Sequence, residues 1–363
     1  ISFDVPAPPD YGGVIDVYFK VKALAEVGAK VHLHCFEYGR GRSKDLEHMC
    51  ASVQYHPRHL GKHQLLNALP YVVVSRRSDA LMDRLQKDDH PILFEGLHSC
   101  YSLGDPRLHG RKRLVRAHNV EHDYYMALAK AEGNPFRRTY FSNEARKLLR
   151  FEPVLSEADH VLAISPKDAA HFARYFRHVS HIPAFHACEK VDVLDGLGDF
   201  AFYHGALGVA ENDQAALFLV QKVFKNSPVK LVIAGSNASK ELKREVAKSS
   251  NVELRENIGT AEIHKLVRTA QVNVLPTFQA TGIKLKLLLC LYTGRHVVCN
   301  KAMVEGTGCG WLCHVHDSAE AMRTSILACM GAPANGQAIE KRAEVLEERF
   351  SNKRNAERIL KLL

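Results

Sequence analysis

Four short stretches of this chain gather residue types with chemistry to offer, and each follows a predicted strand. In PAPPDYGGV (6–14), Gly12 and Gly13 open a helix. Bare backbone N–H groups and the positive end of the helix favour an anion there. In AHNVEHDYY (117–125), His118 ends a strand, and Glu121 and His122 fall in the first turn of the next helix. A strand-end imidazole is placed to reach a ligand, while Glu121 in a first turn also simply complements the helix dipole. In FYHGALGVAEN (202–212), Gly205 lets backbone approach a ligand, and Asn212 predicts a helix N-cap. In PTFQATGIKLKLLLCLYTGRHVVCN (276–300), a helix opens near Thr281-Gly282, apolar nearly all round yet started by Lys284 and Lys286. Two lysines at the mouth of a buried helix point to an anion held by the Gly282–Lys284 amides and an ammonium. Residues two apart do not share a helix face, so only one lysine is expected to reach it, and Lys284 is preferred. The alternative is that both run to solvent.

These turns need strands behind them. Short apolar runs alternate with amphipathic helical stretches along the whole chain, which predicts parallel sheets covered by helices, an α/β fold. Strands are predicted at 2–5, 30–36, 52–56, 91–96, 113–118, 160–165 and 178–183. Helices are predicted at Val14–Val27, Asp79–Gln86 and Thr139–Glu157. The pattern restarts with AFYHGAL (201–207), KLVIAGS (230–236), NVELREN (251–257), VNVLP (272–276) and HVVCN (296–300). The expected organisation is therefore a Rossmann-like domain over 1–187, a second over 188–342, and a final helix over 343–363. Ala356, Ile359, Leu360 and Leu363 share one face of that last helix and need a partner.

Composition narrows the classes. The chain has 363 residues, enough for two cores. Its longest apolar run, LLNALPYVVV (65–74), is too short to span a bilayer. No signal-peptide pattern is visible near the start. Nine cysteines without a C-x-x-C pair point to reduced thiols rather than a zinc or disulfide framework. The net charge of +9 is spread over both halves, and no aromatic-basic interleaving accompanies it, so nucleic acid is not an expected partner.

DVPAPPDYGGVIDVYFKVKALAEVGAKVHL, LVRAHNVEHDYY, ADHVLAISPKDA, KLVIAGS and TGIKLKLLLCLYTGRHVVCN together, in that order, resemble the glycosyltransferase family 4 group of GT-B enzymes. The resemblance implies two Rossmann-like domains facing a central cleft, with the acceptor on the N-terminal one and the donor on the C-terminal one. It implies retaining, metal-independent transfer from a nucleoside-diphosphate sugar, with no cofactor beyond that donor. It places His118 near the reacting sugar, and Asn257 and Ile258 at the strand end where backbone holds the base; Glu121, three residues after His118, is read with it as a catalytic candidate from its own position. Gly12, Gly13, Gly205, Thr281, Gly282, Ile283 and Lys284 would line the donor. The family's paired donor-loop glutamates fall at Thr281 and Leu289, so the closer likeness is to a divergent branch.

The expected function is thus hexosyl transfer to a glycan or lipid-linked acceptor in cell-envelope polysaccharide synthesis. The expected location is cytoplasmic, with peripheral contact at the inner membrane face through Arg76-Arg77, Arg111–Arg113 and Arg137-Arg138. The alternative is a catalytically silent GT-B protein that binds nucleotide or glycan or partners an active transferase. A sugar-nucleotide epimerase of the same fold is a third reading.

Overall fold

The structure is a computed structural model that describes residues 1–278 and 285–363. The chain divides into two compact units. One runs from Ile1 to His186 and takes in Phe350–Leu363; the other covers the described residues from Ala187 to Arg349.

In the first unit, β1 (His32–Glu37) pairs with β2 (Ser52–Pro57). β3 (Ile92–Glu95), β4 (Arg113–Ala117), β5 (His160–Ala163) and β6 (Val179–His181) form a four-stranded sheet in that order, and every pair is parallel. The predicted strand at 2–5 is reduced to a single bridge, Ser2 to Cys35. The segment nevertheless joins the two sheets. The Ser2 amide donates to His34 and its carbonyl accepts from Phe36, while on the other side the Ile1 carbonyl accepts from the Glu95 amide. The central strands β4 and β5 are largely apolar, as expected where helices cover both faces of a parallel sheet. Leu114, Val115, Val161, Leu162 and Ala163 are accordingly buried.

The second unit is one parallel sheet of β7 (Phe200–His204), β8 (Lys230–Gly235), β9 (Val252–Glu256), β10 (Val272–Leu275), β11 (His296–Cys299) and β12 (His314–Val315). The spatial order is β12-β11-β10-β7-β8-β9. The first strand of this unit, β7, and the fourth, β10, are neighbours, so the winding reverses between them. In doubly wound sheets ligands bind at that switch point, outside the carboxyl ends of the strands.

Several helix starts are fixed by side-chain caps. Ser78, Ser165, Ser239 and Ser318 each accept a hydrogen bond from the backbone N–H three residues on. Each such cap is worth about 1 kcal/mol. Asn134 caps a helix with Pro135 at its first position, which therefore runs Pro135–Phe151 rather than Thr139–Glu157; Pro153 turns the remainder into a 3-10 segment, Glu152–Glu157. The predicted N-cap at Asn212 is corrected. Val209 holds that position, the helix is Ala210–Phe218, and Asn212 lies inside it. At the end of the chain, the helix Asn352–Leu360 packs on Gly12–Glu26: Ala356 and Ile359 are fully buried among Ala23, Leu24, Leu114, Leu162, Ile182 and Phe185.

Candidate functional site

At the carboxyl ends of β3 and β4 the first unit buries a connected set of charges. Asp16, on the Gly12–Glu26 helix, accepts from the Arg116 guanidinium of β4 at 2.9 and 3.2 Å and from the Phe185 amide at 2.8 Å. Lys20, one turn along the same helix, bridges Asp16 at 3.1 Å and Glu95 at 2.7 Å. Glu95 Oε2, on the last residue of β3, stands 3.2 Å from His118 Nε2. Every member is nearly sealed from water, His118 the least so with 9% of its side chain exposed. Burial by itself would raise both carboxyls. Arg116, then Lys20 and His118, instead hold Asp16 well below its usual range; Lys20, then the His118 hydrogen bond, hold Glu95 down. Two anions thus face two cations, and the imidazole hangs on a carboxylate that is already ionised. An imidazole held this way keeps one tautomer and one orientation, the arrangement of an oriented acid–base group.

These same atoms could be read as a metal site, since Asp16, Glu95 and His118 offer ligand atoms within 4.8 Å of one another. The chemistry argues otherwise. Lys20 and Arg116 already occupy the carboxylate lone pairs an ion would need, so a further dication would meet two fixed positive charges at hydrogen-bond range.

Glu121 does not act as an exposed dipole partner. It is buried, and burial, with Asp168 adding to it against an opposing hydrogen bond from Asn119, pushes its carboxyl up to about 8. It is therefore a neutral acid at neutral pH. His98 lies beside it, with Nε2 3.6 Å from Glu121 Oε2, and burial and then Arg76 hold His98 well below its usual value. Glu121 Oε1 and His98 Nδ1 are buried without a hydrogen-bond partner. Such orphans are costly and mark a place where a ligand hydroxyl can complete the bonding. The turn is tight: Gly96 has φ +67, and a Cβ there would stand 3.0 Å from His98 Nδ1. Phe3 packs edge-on to His118 with ring centroids 5.4 Å apart.

In the second unit, side chains gather at the β7–β10 switch point. His204 ends β7, buried; burial, then Lys286, pushes its imidazole down to about 3, so it is neutral. Lys286 donates to Asn212 Oδ1 at 2.8 Å and lies 5.2 Å from the Tyr203 ring centre. Thr277, just after β10, donates to Glu211, and its amide donates to Asn300 Oδ1 at 3.1 Å just after β11. Three adjacent strands thus each end in a hydrogen-bonding group, and one ammonium, Lys286, lies beside the first of them.

The predicted residues fare unequally. Thr281, Gly282, Ile283 and Lys284 lie outside the described residues, so the donor-loop turn is not part of this geometry. His118 and Glu121 belong to one buried neighbourhood through Phe3, Gly96 and His98. Gly12 has open space where a Cβ would sit, whereas Gly13 owes its identity to protein packing: a Cβ would meet the Phe3 ring at 2.9 Å. Gly205 is likewise closed by Asn212 at 3.0 Å. Asn257 takes φ +57 at the end of β9 and is exposed, with Ile258 half-buried after it. Lys286 does not run to solvent alone but reaches into the switch point. Of the basic clusters, Arg76 is buried and donates to the carbonyls of Phe3 and Val72, and Arg111 is spent on Asp88 and backbone carbonyls. Arg137 and Arg138 remain exposed, next to Phe136 at 84% exposure. Sequence reading passed over Asp16, Lys20, Glu95, His98 and His204. The Glu-Gly pair closing PILFEG was the one available signal for Glu95; the others look like ordinary helix or strand residues.

All nine cysteines are free thiols. Among the described residues, no helix is long and apolar enough to cross a membrane.

No protein-family model matches the chain. An uncharacterized 44.6 kDa protein in the cps region of Klebsiella pneumoniae is 28% identical over 330 residues, covering 85% of this chain and 84% of that one. Anabaena Alr3699/HepE, solved in complex with UDP and glucose, superposes with a TM-score of 0.66 over 99% of this chain and 97% of its own, at 12% identity. Staphylococcus aureus TarM, solved as a point mutant with fondaparinux, alpha-GlcNAc-glycerol and UDP, gives a TM-score of 0.57 at 15% identity over 77% of this chain. The match spans only 57% of TarM's length. At these identities the likeness is one of fold: the chain has the GT-B fold, two Rossmann-like α/β units.

Proposed function

We propose that this protein is a glycosyltransferase that takes a hexosyl group from a nucleoside-diphosphate sugar and passes it to a glycan or lipid-linked acceptor, with retention and without a catalytic metal. The observation that carries the reading is the β7–β10 switch point, where His204, Thr277 and Asn300 end three adjacent strands and Lys286, on the helix Leu285–Thr293, reaches Asn212 and the Tyr203 ring. Negative charge grows on the departing diphosphate during transfer, so fixed donors aimed at it stabilise the transition state more than the ground state. Lys286 supplies a cation for that role; the expected contributions of Lys284 and the Gly282–Lys284 amides lie outside the described residues. Asn257 and Ile258 follow β9 as the edge that holds the base.

The acceptor belongs to the first unit in this reading. Glu121, neutral, and His98, with one orphan nitrogen, offer a donor and an acceptor to a sugar hydroxyl, and His118, oriented by Glu95, handles the proton. The fold shared with HepE, a protein solved with UDP and glucose, supports the donor class. A cell-envelope product and a cytoplasmic protein touching the inner membrane face through Phe136, Arg137 and Arg138 complete the proposal.

Thr281 and Leu289 stand where paired glutamates were expected, which favours a second reading, a silent binding protein. The deciding experiment is a thermal-shift screen of nucleotide sugars followed by a donor-hydrolysis assay. Stabilisation should reach about 2.7 kcal/mol at a hundredfold excess over Kd. Stabilisation with turnover supports the transferase, stabilisation without it the silent nucleotide-binding protein, and no response to any nucleotide sugar overturns both, leaving the glycan-binding or partner role.

A further inference from the structure

A second cluster lies in the first unit, apart from the Glu95–His118 set. His122 is the second residue of the helix Glu121–Ala131, Glu152 opens the 3-10 segment Glu152–Glu157, and His171 lies in the last turn of the helix Pro166–Phe172. His122 Nδ1 stands 3.1 Å from Glu152 Oε2, and His171 Nε2 stands 2.9 Å from Glu152 Oε1. Their ligand atoms all lie within 4.8 Å of one another. Nothing in the proposed transfer uses these three residues.

We infer that His122, Glu152 and His171 form a binding site for a single divalent transition-metal ion of the zinc class. Two nitrogens and one carboxylate are a donor set that Zn²⁺ accepts readily. The distances suit it. Ligand atoms about 2.1 Å from one ion and separated by tetrahedral to octahedral angles stand roughly 3.0–3.4 Å apart, close to the two nitrogen–oxygen separations here. Accessibility suits it too: the three side chains are 14%, 7% and 20% exposed, enough for an ion to enter and little enough to hold the rings still. Unlike the Asp16–Glu95 carboxylates, the Glu152 carboxylate meets two imidazoles and, among the described residues, no lysine or arginine in its salt bridges. The other nitrogen of His122, Nε2, stands 3.6 Å from the Asp123 carboxylate. A carboxylate behind a ligating imidazole orients the ring and raises its basicity, the usual outer support of a metal-bound histidine. His171 is held in turn against Phe172 and Tyr175, with ring centroids 5.2 and 5.5 Å apart.

The ion's role would be to clamp three elements that the sequence separates by 30 and 19 residues. One of them is the first turn that carries Glu121. The expectation of no metal rested on the cysteine spacing and on the family resemblance, whereas this site uses two histidines and a glutamate that only folding brings together.

The test uses the full chain, stripped with EDTA and titrated with Zn²⁺ against a chromogenic chelator, with Co²⁺ absorption as an independent readout of coordination. Wild type should withhold one equivalent of metal from the chelator, show Co²⁺ d–d bands, and melt at higher temperature with Zn²⁺. His171→Gln and His122→Gln should each bind about 100-fold more weakly or worse and lose the Co²⁺ bands, while His314→Gln, in the His296–His314–Cys329 cluster elsewhere, should behave as wild type. Should one variant lose its far-UV circular dichroism, the other decides. The inference is overturned if wild type withholds no metal, or if a folded His171→Gln or His122→Gln variant keeps the equivalent.

Discussion

His118, Glu121 and Lys286 carry different burdens, and their substitutions separate them. Glu95 keeps its bond to Lys20 when His118 is removed, so His118→Ala leaves no naked charge. Its stability should fall by about 1 kcal/mol, the scale of one hydrogen bond, while transfer falls far more. A melting curve alongside an initial-rate assay checks this, and collapse of the fold would reduce His118 to a packing residue. Glu121 makes a pH prediction. Its folded pKa of about 8 lies above the ordinary 4.5, so between those values the folded state holds a proton that the unfolded chain has lost. The contribution is present in full below about 4.5 and lost as pH rises towards 8, at no more than about 1.4 kcal/mol per pH unit. Urea melts of wild type and Glu121→Gln from pH 5 to 8 should therefore show the variant gaining on wild type as pH increases; parallel curves would contradict the raised pKa. Lys286→Ala removes an ammonium from the switch point and should weaken nucleotide binding by about 1.5–3 kcal/mol, roughly 10- to 150-fold, by calorimetry. Unchanged affinity would move the diphosphate away from this lysine.

The helix Gly12–Glu26 is fastened by different means along its length. Gly12–Glu26 is tied to β4 through Asp16 and Arg116, a buried ion pair whose geometry also captures the Phe185 amide. Such pairs are poor evidence of net stabilisation, but breaking one side strands the other charge. Arg116→Met should cost about 3–5 kcal/mol, read as a drop in the urea midpoint. Further along the same helix, Ala23 and Leu24 pack on Asn352–Leu360, whose apolar face is backed by hydrogen bonds from Asn352 to His186 and from Arg358 to the His181 carbonyl. Ile359, fully buried, should cost about 2–5 kcal/mol as Ile359→Ala in the same measurement, and deletion of 351–363 should expose Leu24, Leu114 and Phe185. An Ile359→Ala variant as stable as wild type would mean the helix contributes little to this core.

For the whole molecule, the net charge of +9 is a weak guide to where the protein resides, because the fold spends much of it. Arg76, Arg111 and Arg116 all point inward or into backbone carbonyls; of the predicted membrane patches Arg77, Lys112, Arg137 and Arg138 stay exposed, and only Arg137 and Arg138 adjoin an exposed aromatic, Phe136. Basic residues near anionic lipid are worth about 1 kcal/mol each, so two of them give reversible binding that physiological salt should largely abolish. Co-sedimentation with anionic vesicles should be detectable at low salt and fall in Arg137→Ala/Arg138→Ala. Equal sedimentation of the double variant would place the contact elsewhere, and none at either salt would leave a soluble acceptor.

The alternation of apolar runs with amphipathic stretches is a local property, and it was enough to read two successive α/β units and most of their strands, since each element's burial pattern is written in its own residues. The turn after β4 was readable for the same reason: His118 and Glu121 follow a strand and open a helix. The ends of elements were less so, because Asn212 has the side chain of a cap but the helix began two residues earlier. What no local pattern could contain is which charges meet. Asp16, Glu95 and Arg116 are separated by tens of residues, as are His122, Glu152 and His171, and only the parallel sheet brings their strand ends and helices side by side. Burial then decides their protonation: it makes Glu121 a neutral acid, and it leaves Asp16 ionised because folding surrounds that carboxylate with cations.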